Sequence, residues 1–220
     1  MRHRIKQMFP SQLAFTLLLA SIGVAGASLQ ASAQTPAQEN NEFVGRVLGA
    51  MPGDQAANAC FVRTYDAAHL AQHPKQKVTS MMMLVHAAEI NDDGGANYSF
   101  VIGLKQRGRK GLYDTAGSCS HVRADGEGPI THLRCGVDCD GGGVSVEMAN
   151  DDKSIMVRIN DYVSINKPGT NKSDDEDHAM REGLRPGLDD KAFRLDRVAV
   201  EQCGKMFDTP KEFREFLAAK

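Results

Sequence analysis

Tryptophan is absent from the 220 residues, which removes every motif built on it. Five cysteines are too few for a small secreted domain that replaces its core with disulfides. The one long apolar stretch, residues 13–27, is shorter than the ~20 residues a helix needs to span a bilayer, so a polytopic membrane protein is excluded. Positive charge is not in excess, with 26 Lys and Arg against 28 Asp and Glu, and this excludes a basic chain built to coat nucleic acid. There is no Gly-x-Ser-x-Gly elbow, phosphate loop or dinucleotide fingerprint. What these absences leave is an ordinary globular domain without a common enzyme signature.

The first feature present is an address. Arg2, Arg4 and Lys6 precede the apolar stretch, and Ala31-Ser32-Ala33 follows it. That order is a secretory signal peptide over residues 1–33 with cleavage after Ala33, which predicts a periplasmic or secreted protein. No cysteine precedes Cys60, so the lipid-modified cysteine of a bacterial lipoprotein is missing. Cleavage removes three positive charges and leaves a chain of net charge -5, with no membrane span and no nucleic-acid partner expected. In an oxidising compartment its five cysteines read as two disulfides and one left over.

Residues 34–58 are expected to be a leader, polar and flexible over 34–41, with a short helix from Phe43 to Met51. Residues 59–220 read as a β-rich domain. Strands are predicted near 60–65, 77–87, 98–104, 112–117, 130–137, 144–148, 155–159 and 193–200, with turn residues between most of them. Asp66 stands as the N-cap of a two-turn helix that Pro74 stops. Residues 167–191 form a long acidic insertion without a clear strand, a lid, a binding loop or disorder. Thr209-Pro210-Lys211-Glu212 opens a C-terminal helix whose Phe213, Phe216 and Leu217 pack on the sheet. The fold class is therefore mainly β, an antiparallel meander of seven or eight strands closed as a barrel or alternatively stacked as a sandwich.

A meander followed by a helix resembles the calycin layout, although the Gly-x-Trp that opens lipocalins is missing with tryptophan. If such a barrel encloses an apolar cavity, Phe100 and Ile102 line it as the ligand-binding residues, because they share the apolar face of the most clearly alternating strand.

Cys119, His121, His132, Cys135 and Cys139 crowd one hairpin and would suit tetrahedral zinc if the thiols were reduced. Export favours disulfides instead. Cys60 precedes the first long strand and Cys203 follows the last, and a closed barrel makes those strands neighbours, so Cys60 is paired with Cys203. A second bond joins two of Cys119, Cys135 and Cys139, taken as Cys119 with Cys135. Asp66, His69 and His73 share a helix face, read as solvated, and Met81 to Met83 as core, because alternation sends Met82 away from its neighbours. The tip with Arg107, Arg109 and Lys110 is read as a solvated turn. No metal and no cofactor are expected.

Three functions follow in rank. The first is a non-catalytic envelope protein that binds another envelope component. The second is a barrel holding a small apolar ligand. A metal-dependent enzyme comes third and would have to use Asp66, His69 and His73 or the Cys/His hairpin.

Overall fold

The structure is a computed structural model that describes residues 35–219, apart from positions 54, 93, 127, 138–139 and 168–180. The expected signal peptide and its cleavage site, Cys139 and the acidic run 174–177 lie outside the described residues.

The expected flexible leader is a helix, α1, Pro36–Leu48. Thr35 caps it: the Thr35 hydroxyl accepts from the Gln38 amide, the Gln38 side chain accepts from the Thr35 amide, and Pro36 takes the first helical position. Polarity alone hid this start, because a capping box is itself made of polar residues. Phe43, Val44, Val47 and Leu48 form its buried stripe. At the other end Gly49 turns left-handed at φ 76, and the Arg197 guanidinium donates to the Arg46 and Val47 carbonyls that the helix leaves open.

Nine strands follow among the described residues: β1 Ala57–Thr64, β2 Val78–Ile90, β3 Ala96–Gln106, β4 Tyr113–Arg123, β5 Ile130–Gly136, β6 Gly142–Met148, β7 Ser154–Asn166, β8 Arg181–Leu184 and β9 Ala192–Val198. Helix α2, Ala67–Gln72, links β1 to β2. A 3₁₀ helix, Val200–Met206, and α3, Pro210–Leu217, end the chain. Each strand from β1 to β7 pairs antiparallel with the next. β9 then pairs with both β7 and β1, so eight strands close a barrel and the sandwich alternative falls. β8 is an additional strand on the second half of β7.

Two strands run well past their expected ends, and one strand was not expected. β4 continues to Arg123 because its polar second half is carried by the β5 ladder, and β7 continues to Asn166 because β8 pairs with its end. β8 itself lies inside the insertion expected to hold no strand. It is four residues long and carries no apolar alternation to signal it.

Alternate side chains of the strands fill the barrel, where Phe61, Phe100, Phe193, Met83, Leu133 and Leu195 are fully buried, and the α1 stripe joins the same cluster. A second, smaller core lies outside the wall, where Met82, Leu84 and Val101 meet Cys60, Cys203 and Met206. The continuous apolar run from Met81 to Val85 is thus buried on both faces, as a strand covered on both sides should be. The side of β3 expected to face solvent is covered too: a Cβ on Gly103 would stand 2.8 Å from Met206 Cγ.

Candidate binding cleft

Two disulfides brace the barrel. Cys60–Cys203 ties β1 to the 3₁₀ helix across 143 positions of sequence, and Cys119–Cys135 joins residues directly opposed in the β4–β5 ladder. Both cysteines of the Cys/His hairpin that are described are therefore bonded to each other, and among the described residues no three His, Cys, Asp or Glu side chains gather as metal ligands. His121 of that hairpin lies within hydrogen-bonding distance of the Tyr98 hydroxyl, Nε2 to Oη 2.9 Å, with the Phe43 ring edge-on to it. Burial pushes the Tyr98 phenol well above its ordinary value. Around α2 the Tyr65, His69 and His73 rings form one stack, with centroids 4.6 and 4.3 Å apart. Asp66 caps the helix by accepting from the His69 amide, and burial pushes Tyr65 up to about 12.

Phe100 and Ile102 both point into the barrel, at 1% and 2% exposure, as members of the continuous interior cluster. A cleft lies elsewhere, on the outside of the wall. Its origin is a split in the sheet. β4 pairs with β5 only from Ser118 onward, and nearer its start it meets β7 at the single pair Asp114 and Asn166. β5 has already ended at Gly136, so the wall is thin between these two attachments. Phe207, just past the 3₁₀ helix, and Glu212 and Phe216 of α3 close it from outside.

The resulting cleft holds about 290 Å³ and is lined by Val101, Asp114, Thr115, Ala116, Val137, Ser164, Asn166, Phe207, Glu212 and Phe216. Its lining mixes two chemistries: Val101, Val137 and two phenylalanine rings 5.3 Å apart, and hydroxyl, amide and carboxylate groups. Those polar groups are held in place. The Asn166 side-chain amide donates to Asp114 at 3.0 Å, and the Asp208 amide donates to Glu212 at 3.1 Å. The Glu212 amide in turn donates to the Thr209 hydroxyl, the N-cap that starts α3.

None of these residues stood out in the sequence as a binding group. Asp114 lies inside the strand predicted over 112–117, Asn166 falls in no predicted element, and Glu212 reads as part of the α3 cap, where it does serve. They come from three distant stretches that only barrel closure brings together. The one available signal was the half-apolar, half-charged stripe of α3. No protein family matches the chain, and neither does any curated protein or solved structure.

Proposed function

We propose that this chain is an exported, non-catalytic binding protein of the cell envelope that engages its partner, another envelope component, through the cleft between β4, β7 and α3. The observation that carries the reading is a cleft of mixed apolar and polar lining on the outside of a barrel whose interior is packed with its own side chains. Two disulfides support a periplasmic or extracellular setting. The alternative of a small apolar ligand would place it between Phe100 and Ile102, where side chains already touch.

Site-specific photocrosslinking tests the reading. Ala116 is exposed at the cleft and Arg134 is exposed on β5 away from it. A photoreactive residue at position 116 should give one discrete adduct in the native compartment, and the same residue at 134 should not. Identical adduct patterns from both positions would remove the cleft from the function.

A further inference from the structure

We infer that one end of the barrel seats the protein on an anionic phospholipid bilayer, with Leu188 as its apolar anchor. None of the residues concerned lines the cleft, so the inference stands apart from that reading. Leu188 is 69% exposed, the most exposed large apolar side chain among the described residues. It lies in the connection from β8 to β9, at the end of the barrel where β1 also joins β2 and β3 joins β4. Hydrogen bonds hold these three connections together. Asp189 accepts from the Lys75 amide, Asp190 accepts from the Lys77 and Val78 amides, and the Arg107 amide donates to the Lys77 carbonyl. Lys75, Lys77, Arg107, Arg185 and Lys191 are all exposed along them. No ion pair joins any of the five to a described carboxylate. Arg107 donates to the neutral Leu70 and His73 carbonyls and Arg185 lies over the Tyr162 ring, contacts that leave both charges uncompensated. Against these five cations stand Asp189 and Asp190, both engaged by backbone amides and the second fully buried. The patch is therefore positive on a chain with more acids than bases. A soluble polyanion would meet the cations and leave Leu188 in water. A second copy of the chain would bring the same cations against them. A bilayer answers both features: the acyl boundary takes the leucine, anionic headgroups meet the cations, and the lysine stems lie along the boundary between. One leucine with a basic patch gives reversible attachment.

The missing tryptophan makes the test direct, because Leu188→Trp and Met51→Trp each give the disulfide-bonded protein a single fluorescent reporter. Met51 is 44% exposed and follows α1, whose Arg46 pairs with Asp152 in the turn between β6 and β7, at the opposite end of the barrel. Vesicles of equal parts phosphatidylglycerol and phosphatidylcholine should shift the Leu188→Trp emission to the blue and leave Met51→Trp unmoved. Vesicles of phosphatidylcholine alone should shift neither. In cosedimentation with the mixed vesicles, Leu188→Asn should weaken binding about tenfold, the scale of one leucine losing its burial. Lys75→Gln and Lys77→Gln should each weaken it about fivefold, the scale of one cation at an anionic surface. Lys153→Gln, exposed at the opposite end, should change nothing. Equal emission shifts at both reporters, equal binding to the two kinds of vesicle, or no binding to either overturns the inference. If the lysine changes weaken binding and Leu188→Asn does not, the patch is a general polyanion surface and the bilayer is the wrong partner. None of these outcomes bears on the cleft, which the crosslinks at position 116 test separately.

Discussion

Inside the barrel, Phe61, Phe100 and Phe193 are fully buried on strands hydrogen-bonded around a closed ring, whereas outside it Phe207, Phe213, Phe216 and Leu217 remain half-buried and are tethered by one disulfide. The interior is held by the closed ring of strand pairings, with the Cys119–Cys135 bond lying within that ring. The outer patch has no such closure. Its helix, α3, buries no residue fully, and its described hydrogen bonds to the barrel are few, among them the Asn58 side-chain amide donating to the Leu217 carbonyl. Rigidity thus belongs to the interior, and the candidate cleft sits where a rigid wall meets a lightly held cover.

Breaking the tether should have the largest effect. On the chain-entropy treatment, a link across 143 positions contributes about 5 kcal/mol and one across 16 positions about 3 kcal/mol. Cys60→Ala with Cys203→Ala should therefore lower the urea midpoint more than Cys119→Ala with Cys135→Ala. It should also open residues 199–209 to protease while the barrel core stays resistant. Equal losses from the two pairs, with no new cleavage, would mean that the outer patch is held by packing after all.

Next in size is a cut inside the ring. Ile102→Ala should cost about 2–5 kcal/mol in denaturant unfolding, the range for a new core cavity. Neither protein should bind a fluorescent apolar probe. A small stability loss combined with probe binding would instead revive the barrel interior as a ligand site.

Acid should separate the two regions more gently. His86 on β2 lies under α3, with the Phe216 ring 5.3 Å away and Asn58 hydrogen-bonded at Nδ1. Burial pushes its pKa below the ordinary 6.5, opposed in part by a bond with the Ala219 backbone. An unfolded chain takes up that proton near pH 6.5 and the folded one only at lower pH. Stability is therefore undiminished above pH 6.5 and falls as pH drops through 6.5 toward the folded value. A urea midpoint followed against pH should show this decline in the native protein and a flatter profile in His86→Gln.

Sequence periodicity sufficed for the interior because it is written locally: Tyr98, Phe100, Ile102 and Leu104 alternate along one strand, and so do Val144 and Val146. The outer core could be read only in part. The C-terminal helix announced itself through Thr209-Pro210 and its aromatic stripe, but what it covers was not visible, since Val101 and Gly103 read as a solvent face. The cleft was not legible at all. It exists because β4 changes partner from β5 to β7 between Ser118 and Asp114, and no local pattern encodes a change of partner that depends on ring closure. Of α1, the half from Phe43 onward was legible and the half before it was not, since its opening turn is polar and its buried stripe begins only at Asn40 and Phe43.

The smallest predicted effect sharpens the comparison most. Thr209 caps α3, and Thr209→Ala should weaken that helix by about 1 kcal/mol, the usual cost of a lost N-cap. If α3 is a separate cooperative unit, hydrogen exchange of the Phe213 and Ala218 amides should quicken about fivefold, the factor that 1 kcal/mol implies. Val85 and Phe100 amides inside the ring should keep their rates. Equal acceleration at Val85 and Phe100 would show that cover and barrel unfold as one body, and the distinction between a closed interior and a tethered exterior would then be one of geometry alone.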